Sequence, residues 1–191
     1  MRNQIIAAAI EDINKFGIKF TMSDLVKRLS ISKSTLYAQF KSKEEVIGAI
    51  VDLALGSLRQ QRKDILNNNT LNVPEKLKAL LLAHPPMDVS MEFMFDLKRH
   101  FPEEWNKIQQ SRTEKWEIVE SLITQGIEAG YFRSIDSLDL TILRIIFDGT
   151  VKELMDQSFY LNNSVSFVDS MHKIADILCR SLMKTNISDE A

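Results

Sequence analysis

A short segment near the N-terminus concentrates side chains that can hydrogen-bond to the edges of bases. Leu36 and Phe40 recur at the i, i+4 spacing of one helix face, which leaves the polar residues of this segment on the opposite face. An outward face of hydroxyl, amide and cationic groups is the composition that a helix needs to lie in the major groove of DNA. The outward set predicted in this way is Lys33, Ser34, Thr35, Tyr37 and Gln39.

A second helix must position this segment, and the preceding residues predict one. Ser30-Ile31 fits a tight turn, and the hydroxyl of Ser32 can cap the helix that follows. The stretch 21–40 therefore predicts two helices joined by a turn. Such pairs also occur in helical proteins that bind no DNA, so this pattern alone leaves a purely structural role open. The apolar stripe of the first helix consists of Leu25, Val26 and Leu29.

The distribution of charge favours a nucleic-acid partner. Residues 1–50 hold eight Lys/Arg and five Asp/Glu, a net of +3, so the remainder carries −5 of the total charge of −2. Affinity for DNA comes largely from neutralised phosphates, and a basic head on an acidic body suits a head that binds DNA. The stretch from Leu25 to Lys43 contains no acid, and its basic residues are Lys27, Arg28, Lys33, Lys41 and Lys43.

Several short motifs in the first quarter of the chain form a specific combination. They are Ile6-Ala7-Ala8-Ala9, Phe16-Gly17, Thr21-Met22-Ser23-Asp24-Leu25, Ser32-Lys33-Ser34-Thr35-Leu36-Tyr37, Phe40 and Ser42-Lys43-Glu44-Glu45. This combination resembles the helix-turn-helix of the tetracycline-repressor (TetR) family. The chain departs from the family pattern at Ser30, where Gly is usual, and at Gln39, where an aromatic residue or His is common. The resemblance implies a transcriptional regulator whose repression is relieved by a ligand.

The whole chain is predicted to be all-α, with a three-helix DNA-binding head followed by a larger helical domain for ligand binding and dimerisation. Only four Pro and six Gly interrupt a helical periodicity that continues along the 191 residues. We place the head at residues 1–48 and the regulatory domain at residues 49–191. The predicted helices span residues 3–16, 22–29, 33–40, 43–67, 74–84, 88–100, 102–129, 137–159 and 164–183.

Two residues at predicted helix N-termini, Thr21 and Lys43, are expected to hold phosphates with the help of free backbone amides. Together with the outward set they form the predicted contact with double-stranded operator DNA. The helix that begins at Lys43 is long, and it links the head to the body.

A Met- and Phe-rich segment in the body predicts a binding site for a small effector. Met side chains fill irregular shapes, and few charges fall within the stripes, so we expect a hydrophobic or aromatic ligand. The alternative interpretation is a fully buried helix without a ligand, and both can hold. The predicted lining residues are Met91, Phe93, Met94, Leu97 and Trp116.

The last two predicted helices, within residues 137–183, are expected to form a homodimer. The final helix carries two apolar stripes, and a helix that is apolar on two sides must bury both. One side can pack on the body, while a second copy of the chain can cover the other. The stripes are Phe167, Met171, Ile174 and Leu178 on one side, and Val168, Ala175 and Leu182 on the other.

Other chemistry finds little support. The three His are scattered, Cys179 lies in an apolar stripe, and no phosphate-binding Gly loop occurs, so we expect no metal, no cofactor and no catalysis. A single Cys and the lack of a signal peptide or a long apolar run suit a cytoplasmic protein without a membrane span. The alternatives left open are a helical protein-interaction module and a helical enzyme without DNA binding.

Overall fold

The computed structural model describes residues 1–87, 91–154 and 166–184, and these residues are built almost entirely from helices. This confirms the predicted all-α class. Within those ranges, no helix combines the length and apolarity needed to cross a bilayer. The helices are α1 (Arg2–Phe16), α2 (Met22–Leu29), α3 (Lys33–Tyr37), α4 (Lys43–Asn67), α5 (Val73–Leu82), α6 (Met91–His100), α7 (Pro102–Glu128), α8 (Ser137–Leu154) and α9 (Phe167–Leu182).

The chain divides into two compact units. The N-terminal unit comprises Met1–Arg59 and Pro85–Ser111, and the C-terminal unit comprises Gln60–His84 and Arg112–Ala191. Helices α4 and α7 each continue from one unit into the other. The N-terminal unit is thus larger than the three-helix head, because α6 packs against a 3₁₀ turn at Gly17–Lys19 that follows α1. The boundary between residues 48 and 49 stays a prediction.

Side-chain hydrogen bonds cap the first turns of several helices. Thr21 and Asp24 form a capping box at the start of α2, and Asn72 and Glu75 form another at the start of α5. Gly17 ends α1 with φ of +61°, a backbone conformation that residues with a Cβ rarely adopt.

The predicted helix ends differ from the observed ones in a few places. Helix α3 ends at Tyr37, three residues before the predicted end, and α5 ends at Leu82 because Ala83, next to the Pro85-Pro86 region, is already extended. Helix α9 begins at Phe167, after a Ser166 cap. The predicted start of α6 at Asp88 and the predicted end of α8 near residue 159 lie outside the described residues.

Each unit has its own apolar core. The N-terminal core joins α1 to α4 and also contains Phe93 and Leu97 of α6. The C-terminal core joins α5, α7, α8 and α9 around Trp116, Phe132 and Phe147. The Phe132 segment after α7 pairs with the end of α9, where the Arg133 amide donates to the Leu182 carbonyl at 2.8 Å.

The two-stripe interpretation of α9 is wrong in its detail. Ala175 and Leu182 from one stripe and Leu178 from the other are all buried in the same C-terminal core, because the two stripes adjoin and form one face of the helix. Among the apolar residues of α9, Val168 and Ile177 are the ones left well exposed. Helix α8 has a larger exposed apolar face than α9, formed by Leu138, Ile142, Ile145 and Ile146.

Candidate nucleic-acid interface

Helix α3 turns its apolar side inward and its polar side to solvent, as its spacing predicts. Leu36 and Phe40 are completely buried in the N-terminal core. Lys33, Ser34 and Tyr37 are exposed on the other side, with Tyr37 48% exposed. The other two members of the predicted set, Thr35 and Gln39, are partly exposed. The structure therefore brings the whole set together on one short helix and the turn that follows it.

Three hydroxyl groups cluster at the start of α3. The Ser32 Oγ accepts from the Thr35 amide at 3.0 Å and lies 2.7 Å from the Ser34 Oγ and 2.8 Å from the Thr35 Oγ1. A hydroxyl can donate once and accept twice, so Ser34 and Thr35 retain hydrogen-bonding capacity for a base or a phosphate. Their mutual bonds restrict their rotamers before any partner arrives.

The turn between α2 and α3 contains Ser30 in the left-handed conformation, with φ of +51° and ψ of +38°. Its amide donates to the Lys27 and Val26 carbonyls and so closes α2. The usual Gly of this turn would adopt that conformation without strain. Ser30 thus adopts the left-handed conformation that Gly would adopt, but at an energetic cost, and the turn keeps the same backbone geometry.

Arg2 is a basic residue beside α3 that the sequence analysis did not single out. Its Nη1 donates to the Gln39 carbonyl at 2.8 Å, and its guanidinium lies 4.1 Å from the centroid of the Phe40 ring. It therefore ties the start of α1 to the end of the α3 segment and adds a positive charge there. No pattern in the sequence connects two residues so far apart.

One basic residue of the acid-free stretch is engaged within the protein. Arg28 pairs through Nη2 with Asp12 and through Nη1 with Glu11, both at 2.5 Å, and Asp12 is buried. The acids come from α1, which the local charge count could not reveal. Counting Arg28 as a charge available to DNA was therefore wrong. Lys27, Lys33 and Lys41 are exposed, and in the described part of the chain they form no ion pair.

The two residues expected to hold phosphates already have partners inside the N-terminal unit. The Thr21 hydroxyl lies 2.7 Å from the Asp24 Oδ2, and the bonds from Thr21 lower the pKa of the Asp24 carboxyl. The Lys43 ammonium donates to the Ile18 carbonyl and lies 4.8 Å from the centroid of the Phe20 ring. Partial burial lowers the pKa of Lys43. Thr21 is exposed but its hydroxyl is engaged by Asp24, and Lys43 is half-buried, so their phosphate contacts stay predictions.

The residues predicted to line an effector site fall into different units. Phe93 and Leu97 are buried in the N-terminal core, and Met94 packs against it. Trp116 belongs to the C-terminal core, where its ring meets Phe147 edge-on at 5.8 Å. The side chain of Met91 lies outside the described residues. A cavity that joins these residues stays a prediction.

The fold and this surface define a helix-turn-helix protein with a helical C-terminal unit. Residues 5–50 match the family described as bacterial regulatory proteins, tetR family. The chain is 29% identical over 191 residues to the uncharacterized HTH-type transcriptional regulator YvaF of Bacillus subtilis (strain 168), which covers 99% of both chains. It is also 25% identical over 157 residues to a fatty acid metabolism regulator protein of the same organism, covering 78% of this chain and 79% of the relative.

A solved structure extends the likeness along most of the chain. The transcriptional regulator FadR from Bacillus subtilis, in complex with stearoyl-CoA, superposes with a TM-score of 0.66 at 19% identity and covers 95% of this chain and 100% of that one. At such low identity the superposition shows the shared fold. The chain is therefore similar to transcriptional regulators of the TetR family along nearly its whole length, and it is a DNA-binding regulator. These two relatives are both regulators.

Proposed function

We propose that this regulator binds a near-palindromic operator as a homodimer and that a small effector releases it from DNA. The observation that carries the DNA-binding part is the solvent-facing side of α3, where Lys33, Ser34 and Tyr37 lie opposite the buried Leu36 and Phe40. Side chains of these types reach base edges in the major groove, and the buried pair fixes the helix that presents them.

Each residue of the interface takes a chemical role in this proposal. The exposed side chains of α3, with Thr35 and Gln39 at its margins, contact base edges. Lys27 and Lys41 contact phosphates, since they are exposed cations on either side of α3. Arg2 supports the Gln39 segment and adds charge there. Thr21 and Lys43 act at the edge of the interface, through helix N-termini as much as through their side chains.

The proposed dimer uses the exposed aliphatic face of α8. Its members are spaced so that they follow one side of the helix, and a contiguous apolar face of this kind marks an interaction surface. Two copies related by a two-fold axis would place their recognition helices about 34–36 Å apart, which is one turn of DNA. The face consists of Leu138, Ile142, Ile145 and Ile146.

The proposed effector is a small, largely hydrophobic molecule that binds in the body. One relative is a fatty acid metabolism regulator, and the superposable FadR binds stearoyl-CoA, so both support an acyl compound. For release to occur, the effector must bind the DNA-free arrangement more tightly than the DNA-bound one. A coupling of about 1–3 kcal/mol would lower DNA affinity roughly 5–150-fold. Helix α4, which begins just after α3 and continues into the C-terminal unit, is the covalent route for this coupling.

Selection of binding sites from random double-stranded DNA tests the proposal directly. We expect the enriched sites to contain two inverted half-sites about 10 base pairs apart. Operator binding is then measured with and without acyl compounds of about 8–18 carbons, a range that ends at the length of the stearoyl chain. Recovery of no enriched sequence would contradict DNA recognition, and an operator affinity unchanged by every acyl compound would contradict the proposed effector.

A further inference from the structure

The C-terminal unit holds a lysine whose ammonium group lies among buried, uncharged atoms. Lys115 on α7 donates from Nζ to the Leu81 carbonyl at 3.2 Å, and its Nζ lies 4.6 Å from the centroid of the Phe147 ring. Leu81 and Phe147 are both buried. These are the contacts that the described residues give the ammonium group, and neither brings a negative charge. An ammonium group has three donors, so this one retains capacity for a further acceptor.

The charged groups that act on Lys115 are mostly cations. Arg62 from α4, which is buried, and Arg112 from α7 repel it, and Asp148 from α8 attracts it. Burial and the arginines together lower the pKa of Lys115 to about 8, with burial the larger cause. The Asp148 carboxylate is itself occupied, since its Oδ2 lies 3.1 Å from Arg112 and 3.9 Å from Arg144, and its Oδ1 accepts from Trp116 at 3.5 Å.

A buried charge is costly unless it is paired or coordinated, and both contacts of the Lys115 ammonium group are to uncharged groups. The chain beyond residue 50 carries a net charge of −5, so a cluster of cations inside the C-terminal unit is a local departure from the prevailing charge. Titratable groups with pKa values shifted by both burial and specific charges are frequent at binding sites. The aromatic pair Trp116 and Phe147 makes the surroundings apolar.

We propose that the ammonium group of Lys115 binds an anionic oxygen of the effector, a carboxylate or a phosphate oxygen, on a molecule that is otherwise hydrophobic. This inference rests on the proposed function, since it names the charged part of the same effector. Arg62 and Arg112 add positive potential at the subsite, and Asp148 holds Arg112 and Arg144 in place. A free fatty acid would supply the carboxylate, and an acyl thioester of coenzyme A would supply phosphates.

The test measures direct binding of three ligands with the same alkyl chain to the full-length protein by calorimetry. The ligands are dodecanoate and dodecanoyl-CoA, each below its micellar concentration, and dodecanol below its solubility limit. We expect the wild type to bind at least one anionic ligand tenfold or more tightly than dodecanol. Preference for dodecanoate identifies the carboxylate as the source, and preference for dodecanoyl-CoA identifies the phosphates.

Three variants locate the effect. Lys115→Met removes the charge with little change of volume, and it should abolish the preference for the anionic ligand. Lys115→Arg keeps a charge and should retain the preference. Lys63→Met removes an exposed lysine from the helix that carries Arg62, and it should bind as the wild type does.

A pH series gives a readout that a structural role would not produce. Lys115 with a pKa of about 8 loses its proton as the pH rises, while the arginines facing it stay charged and Asp148 stays ionised. Wild-type affinity for the anion should therefore fall about tenfold or more between pH 7 and 9.5, with proton uptake on binding. In Lys115→Arg the affinity should stay constant over this range. This comparison decides the inference even if Lys115→Met fails to fold.

The outcomes separate this inference from the proposed function. Equal binding of dodecanol and the anions, or a preference that survives in Lys115→Met, would overturn the anion subsite while an acyl effector could still release DNA. Binding of neither anionic ligand would overturn it as well. An anion preference lost in Lys115→Met, with no effect of the ligand on operator affinity, would support the subsite and contradict the effector role.

Discussion

Arg28 and Asp12 form an ion pair at 2.5 Å that fastens α2 of the helix-turn-helix to α1. The Asp12 side chain is 3% exposed and that of Arg28 is 26% exposed, so the carboxylate depends on its partner for solvation. Glu11 binds the same guanidinium but is 63% exposed. The two acids are neighbours in sequence and share one partner, yet they differ in burial. This contrast allows the contribution of burial to be measured.

We predict that Arg28→Ala destabilises the protein by about 3 kcal/mol, because it leaves the buried Asp12 carboxylate without its charged partner. Glu11→Ala should cost less than about 1 kcal/mol, as exposed pairs do. Denaturation by urea, followed by circular dichroism, measures both. Equal effects of the two substitutions would show that the burial of Asp12 is not what makes its pair important.

Gly126 on α7 provides a prediction about packing in the C-terminal unit. A Cβ at this position would lie 2.1 Å from the Phe132 Cδ2, and Phe132 is completely buried. We expect Gly126→Ala to destabilise the protein by about 3 kcal/mol through overpacking.

Gly56→Ala is the matched control for this substitution. Gly56 is also helical, and a Cβ there would meet nothing within 4 Å. It should stabilise the protein by up to about 1 kcal/mol, because Ala favours the helix over Gly. Thermal unfolding of the two variants should therefore shift in opposite directions, and a neutral Gly126→Ala would contradict the close approach of Phe132.

These positions also show what sequence can predict and what it cannot. The capping box of Thr21 and Asp24 and the inward pair of Leu36 and Phe40 depend on residues three or four apart, so their spacing reveals them. The bond from Arg2 to the Gln39 carbonyl joins residues 37 positions apart, and only the packed chain brings them together. The surroundings of Lys115 also depend on the packed chain, since its ammonium group meets the Leu81 carbonyl, 34 positions away in the sequence.

The residues predicted to line the effector site come from two different cores, for a similar reason. Phe93, Leu97 and Trp116 all recur at helical spacings that indicate burial, and burial is what the structure shows. Periodicity does not tell which core a buried face enters. Helix α6 joins the N-terminal core because it packs on the turn after α1, a contact between residues about 80 positions apart in the sequence.

The dimer proposal predicts different fates for two aspartate substitutions. Ile145 on α8 is 60% exposed, so Ile145→Asp should leave the monomer folded and prevent association, raising the dimer dissociation constant roughly 100-fold or more. Leu178 on α9 is buried in the C-terminal core, so Leu178→Asp should unfold that unit. Sedimentation reports association, and circular dichroism reports folding. A wild-type monomer at micromolar concentration would contradict the proposed dimer, and an intact Ile145→Asp dimer would exclude this face.

Two lysines at the DNA interface should respond differently to substitution by alanine. Lys33 is exposed on α3, whereas the ammonium group of Lys43 is held by the Ile18 carbonyl and lies over the Phe20 ring. Lys33 offers a donor to base edges and also a positive charge near the phosphates, so Lys33→Ala should weaken binding to all DNA sequences, reduce the salt slope by up to about 0.9 and cost more on the operator. Lys43→Ala should reduce the slope less, because this lysine would first have to leave its internal partners.

Tyr37→Ala separates base recognition from phosphate contact in the same assay. Tyr37 is exposed on the groove-facing side of α3, so its loss should weaken operator binding by about 1–3 kcal/mol and leave binding to random DNA nearly unchanged. Titrations of operator and random DNA at several salt concentrations measure both quantities for all three variants. Wild-type operator affinity in both Lys33→Ala and Tyr37→Ala would refute α3 as the recognition helix. If the salt dependence of binding falls more in Lys43→Ala than in Lys33→Ala, then Lys43 leaves the Ile18 carbonyl to bind DNA. DNA binding would then compete with the packing of the turn after α1 for the Lys43 side chain.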